Sequence, residues 1–179
     1  MNFKNVSKGF LFVLFTLTLS SFQLSKSIQK KLNKEIKSAF DTSTYILKPF
    51  LVTEEVKKSL LVKFTDSNFY SIEDNGKLIG YAFVERAPSK TAEFDYLVLL
   101  DAALIVKKAK VLIYREEYGG EIASTRWLKQ FIGKSEKDSF VYKKDISAIS
   151  GATISVRSMT TSVNNLMKSV AVLHQKNIL

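Results

Sequence analysis

Apolar residues at Leu24, Ile28, Leu32, Ile36 and Phe40 recur every four positions, which stacks them along one face of a helix with lysines on the other. The stripe predicts an amphipathic helix over residues 22–42, packed either on the domain that follows or against a partner helix. Tyr45 to Val52 reads as extended around Pro49, and Thr53-Glu54-Glu55 opens a short helix ending near Leu61. The period then shortens. Asn68 to Glu73 and Lys77 to Arg86 are rich in Phe, Tyr, Ile and Val and flank Asp74-Asn75-Gly76, where an Asn-Gly pair suits a tight hairpin turn. Pro88-Ser89-Lys90 makes a loop. Glu93 to Leu100 and Leu104 to Tyr114 predict two more strands, joined at Asp101-Ala102-Ala103, that extend one antiparallel sheet. Lys107-Lys108-Ala109-Lys110 reads as a solvated edge whose charge discourages further pairing.

Ser124 can cap a helix carrying Trp127, Leu128, Phe131 and Ile132, with Gly133 at its end. A last helix, beginning around Ser155 to Arg157, aligns Met159, Val163, Leu166, Val170 and Leu173 on one face. The sum over residues 43–179 is an α+β domain, a mostly antiparallel sheet packed with helices, with the long C-terminal helix as its main cover.

The first 21 residues follow a different pattern. Lys4 and Lys8 precede the apolar stretch Gly9 to Leu19, and Ser20-Ser21 follow it, which is the layout of a secretory signal peptide and is short for a membrane span. No Ala-x-Ala site marks cleavage, so an uncleaved membrane anchor is the alternative. Either way the expectation is export, to the periplasm or the outer face of the cytoplasmic membrane. Losing Lys4 and Lys8 with this segment lowers the formal charge from +10 to +8. A basic exported domain can lie against an anionic membrane surface or attract acidic partners, and nucleic acid falls away as a ligand.

The chain has no cysteine, which excludes disulfides, thiolate metal sites and iron–sulfur ligation. His174 is the single histidine, which excludes a histidine triad or a multi-histidine metal site, and its place late in the last helix suits the surface. Redox chemistry here would need another ligand set or an organic cofactor. The segment that could hold one is Ile149-Ser150-Gly151-Ala152-Thr153, ahead of the last helix. Gly151 can take the positive φ of a sharp turn, and a helix N-terminus beside Thr153 would stabilise a phosphate. A plain Ser/Gly turn capping a helix accounts for the same residues.

Three segments together resemble the FMN-binding domain of the flavin subunits of Rnf and Nqr electron-transport complexes and of stand-alone exported flavoproteins. Asn75-Gly76-Lys77-Leu78-Ile79-Gly80-Tyr81-Ala82 is similar to its hairpin. Tyr114-Arg115-Glu116-Glu117-Tyr118-Gly119-Gly120, then Trp127 to Gly133, is similar to its flavin-facing loop and following helix. Ile149-Ser150-Gly151-Ala152-Thr153-Ile154-Ser155 is similar to its attachment segment. The resemblance implies FMN as cofactor, joined through its phosphate to the Thr153 hydroxyl by a separate flavin transferase. It brings Ser150, Gly151, Ala152 and Ser155 to the site, with Arg157 within possible reach of the phosphate. It also implies that Glu116 and Gly119 lie against the flavin.

The sequence departs from the family in two places. Glu117-Tyr118 replace a Thr-Pro pair, which leaves Tyr118 free to stack on the ring, and Trp127 either borders the ring or fills the core. Ser147 stands where an acid usually precedes the attachment segment, with Asp145 two residues earlier. The resemblance implies an exported electron-transfer flavoprotein with redox protein partners, such as a membrane electron-transport complex. Two alternatives remain: a flavin-dependent reductase using Tyr114, Tyr118 or Glu116 as proton donor, and a binding module of the same fold without flavin.

Overall fold

The computed structural model describes residues 24–179, and the expected signal peptide or anchor over residues 1–21 lies outside them. Helix α1 (Lys26–Phe40) starts at Ser25, whose side chain accepts a hydrogen bond from the Ile28 amide at 3.3 Å. Its buried residues are Ile28, Leu32 and Ile36, the middle of the predicted stripe. Strand β1 (Ile46–Pro49) and the short helix α2 (Glu54–Lys57) follow. Four longer strands come next: β2 (Phe69–Asp74), β3 (Lys77–Pro88), β4 (Glu93–Asp101) and β5 (Val106–Ile113). All pair antiparallel in chain order, so the sheet is a simple meander. Asn75 (φ 49°) and Gly76 (φ 76°) turn β2 into β3, as an Asn-Gly hairpin requires.

The sheet is covered on both faces, and β4 shows why. Phe94, Tyr96, Val98 and Leu100 point into one core, while Leu97 and Leu99 point into another. The first core is closed by helix α4 (Thr153–Gln175) through Val156, Met159, Val163, Leu166, Val170 and Leu173. The second is closed by α1, which decides the stripe in favour of packing on its own domain. Burying Ile28, Leu32 and Ile36 contributes roughly 1.5–3 kcal/mol each, so the N-terminal helix is part of the fold.

Four local expectations change. Helix α2 stops at Lys57 rather than near Leu61, because the Leu61 and Val62 amides donate to Ser169 Oγ on α4 at 3.0 and 3.2 Å. The helix after Ser124 is only α3 (Thr125–Leu128) plus a 3₁₀ turn over Lys129–Phe131, and Ile132 leaves it in extended conformation, 43% exposed. The Lys107–Lys110 run is not simply solvated: Lys108 pairs with Glu35 of α1 at 2.6 Å, and Lys107 lies over the Phe40 ring. Helix α4 begins at Thr153 rather than at Ser155 to Arg157. His174 is exposed, as expected, and meets Glu136 at 2.9 Å. Among the described residues no helix is long and apolar enough to cross a membrane.

Candidate functional site

Three loops converge at the end of the sheet where β5 runs out. After Ile113 the chain is pinned by Arg115, which donates to the Glu93 carbonyl at 2.8 Å and pairs with Asp95. Glu116 then reaches back to the β3–β4 loop. Its carboxylate accepts from Ser89 Oγ (2.6 Å), the Thr91 amide (2.6 Å), Thr91 Oγ1 (2.7 Å) and the Ala92 amide (3.1 Å). The Ser89 hydroxyl, then the two Thr91 donors, pull its pKa down to about 2. Glu116 is therefore an ionised clamp near neutral pH, which removes it as the proton donor of a reductase.

Past the clamp, Gly119 meets the turn over residues 150–153. Its φ is +79°, and a Cβ there would stand 2.7 Å from the Ala152 Cβ and 3.1 Å from the Tyr114 hydroxyl. The close approach that the glycine allows is thus between two protein segments. The Tyr114 hydroxyl is 3.0 Å from Ser155 Oγ, which ties the same loop to the first turn of α4; Ser155 is only 3% exposed.

The turn itself is fixed from behind. The Trp127 indole N–H donates to the Ser147 carbonyl at 2.8 Å, and the Ser147 amide donates to Gln130 Oε1 at 2.8 Å. Trp127 is buried and packs edge-on against Phe131, so of its two readings the core one holds. Gly151 then takes φ +76°, the Ala152 amide closes on the Ile149 carbonyl at 3.2 Å, and α4 starts at Thr153. Ala152 stands at the N-cap with no side-chain cap bond, so the amides of the first turn keep their donors free of a capping side chain.

These segments enclose a cavity of about 430 Å³. Its walls include Gly151, Ala152, Thr153 and Ser155 from the attachment segment and Glu116 and Tyr118 from the loop, six of the residues singled out from sequence. Tyr114, Ile154 and Lys90 complete it. Ser150, Gly119 and Arg157 are not in its lining: Ser150 is exposed, Gly119 packs behind the wall, and Arg157 stacks on the Tyr142 ring at 5.0 Å. Lys90 was missed as a site residue because only the Glu116 clamp, 26 positions away, brings its loop here. A second cavity of about 410 Å³ lies on the α1 side, beside Leu24, Lys63 and Arg86. Size does not separate the two; the chemistry of the walls does.

The family model described as the FMN-binding domain matches residues 69–168, 100 of the 179 in the chain. The chain belongs to the FMN-binding domain family. Its cofactor is FMN, and the flavin-free module is thereby set aside. The match opens at the first residue of β2 and contains every residue lining the 430 Å³ cavity. No curated protein matches this chain.

The cavity of this FMN-binding domain suits its cofactor. Its volume lies in the usual range of roughly 300–1,000 Å³ for ligand pockets. At one end is an uncapped helix N-terminus, the natural seat of a phosphate. At the mouth, Tyr118 (79% exposed) and Ile154 (51% exposed) present unburied aromatic and apolar surface against which a flat ring can lie.

Proposed function

We propose that the protein is an exported electron-transfer flavoprotein, with FMN fixed to Thr153 as a phosphodiester and electrons relayed between redox protein partners. The observation that carries this reading is the place of Thr153: first residue of the 23-residue helix α4, exposed, and lining the cavity. A flavin transferase would form the Thr153 Oγ1–phosphorus bond by displacing an oxygen leaving group from the phosphorus of an activated flavin nucleotide that it supplies, with the hydroxyl proton passing to a base. The phosphate would then rest on the free amides at the start of α4, where the helix dipole stabilises negative charge. FMN supplies the redox chemistry, and the chain's residues supply position and field.

Tyr118 and Ile154 would flank the ring, and Tyr114 would hold the cavity floor through Ser155. Gly151 and Ala152 would shape the turn beneath the phosphate. Ser150, exposed on that turn, would act as a turn former or a phosphate ligand. Arg157 sits one helical turn beyond Thr153 and would reach the phosphate by leaving Tyr142. Ser147 is exposed where the family carries an acid, and Asp145 accepts from the Val141 amide at 3.0 Å. The transferase would therefore read a segment held by its backbone rather than by that acid. The basic chain, with its expected export segment, would work in the periplasm or against the outer face of the cytoplasmic membrane, alone or within a membrane electron-transport complex.

The test is co-expression with a flavin transferase, followed by a denaturing gel read by flavin fluorescence. The wild-type band fluoresces and the Thr153→Ala band does not; a wild-type band without fluorescence beside an active transferase contradicts the covalent reading.

A further inference from the structure

The loop between β3 and β4 contains Ser89, Lys90, Thr91 and Ala92. Ser89, Thr91 and Ala92 all donate to Glu116, and the Ser89 amide also donates to the Ala92 carbonyl at 2.8 Å. A four-residue loop with this many bonds has little freedom. Lys90 is the one member that takes no part in them, and it lines the cavity onto which Thr153 opens. Among the described residues no salt bridge joins it. The Glu116 carboxylate, the acid of the same wall, accepts from four donors of the loop and is held there.

We propose that Lys90 is the cation that answers the negative charge FMN gains on reduction in this cavity, and that Glu116 is the positioning residue that aims it. The inference rests on the reading of this cavity as the FMN site. Two electrons from a protein donor and one proton from solvent add one net negative charge to the ring. Lys90 keeps its own proton throughout and forms no covalent bond. A cation at the cavity wall stabilises the reduced form more than the oxidised form and so raises the midpoint potential. Lys90 is itself exposed and partly screened by solvent; what sets it apart from the other surface lysines is that the braced loop holds it at the cavity.

The experiment matures the full chain with a flavin transferase and takes the midpoint potential of the flavin-loaded fraction of each variant by spectroscopic titration with dithionite. Lys90→Gln should shift the reduced-to-oxidised equilibrium about tenfold toward oxidised, a fall of about 30 mV for two electrons. Lys90→Arg should restore most of it. Glu116→Asp, which keeps the negative charge of the wall but shortens the clamp and loosens the loop, should fall between wild type and Lys90→Gln. An unchanged potential in Lys90→Gln overturns the proposal. Intact mass keeps the two readings apart: if the wild type carries no covalent flavin, the Thr153 linkage fails, and the same potentials are measured on the non-covalent FMN complex. There too, equal potentials for wild type and Lys90→Gln refute the role of Lys90.

Discussion

Gly119→Ala tests whether the loop after β5 and the attachment turn form one packed unit. Two costs are readable. A non-glycine residue at φ +79° sits in the left-handed region, which costs roughly 1–2 kcal/mol. The new Cβ would stand 2.7 Å from the Ala152 Cβ, well inside the roughly 3.5–4.0 Å of an ordinary carbon contact, and relieving such overpacking costs about 1–3 kcal/mol. The sum is about 2–5 kcal/mol, read as a lowered urea midpoint at unchanged slope. Ala152→Gly separates the terms, since glycine is tolerated at an N-cap and removes the struck atom. In that background Gly119→Ala should cost the backbone strain plus the smaller crowding against the Tyr114 hydroxyl at 3.1 Å and the position-152 Cα at 3.2 Å, so the cycle should show a coupling of up to about 1–3 kcal/mol. Equal costs in both backgrounds would refute the packing of Gly119 on Ala152.

Two other measurements probe the frame around the site. Glu116 has a folded pKa near 2, below its ordinary value of 4.5, so its clamp stabilises the fold above about pH 4.5 and is lost as pH falls toward 2. Urea midpoints should therefore place Glu116→Gln below the wild type at pH 7 and level with it near pH 2; a gap that persists at pH 2 argues against the clamp. Leu32→Ala removes a fully buried side chain from the α1 core and should cost about 2–5 kcal/mol by thermal or urea unfolding. A cost below about 1 kcal/mol would mean that α1 is not docked on the sheet.

What could be read from the chain follows the range of the forces involved. The α1 stripe and the Asn75-Gly76 turn are local signals, and both survive in the structure. The two-sided sheet was also written in β4, where Leu97-Val98-Leu99-Leu100 is continuously apolar rather than alternating, the mark of a strand buried on both faces. The start of α4 misled because Ala152 is a poor capping residue, so sequence signals pointed to Ser155. Ser155 is instead the buried partner of Tyr114. Long-range contacts left no local trace. Nothing near Glu116 announces that its carboxylate will gather Ser89, Thr91 and Ala92, and without that clamp Lys90 is one lysine among many on a basic chain.

The central claim is the bond at Thr153, and mass tests it most directly. The protein matured with an active flavin transferase should be heavier than the same protein made without it by one FMN less one water, with the added mass on the peptide that contains Thr153 and absent from Thr153→Ala. An unmodified mass, or an FMN adduct mapped to any other residue, would contradict the account.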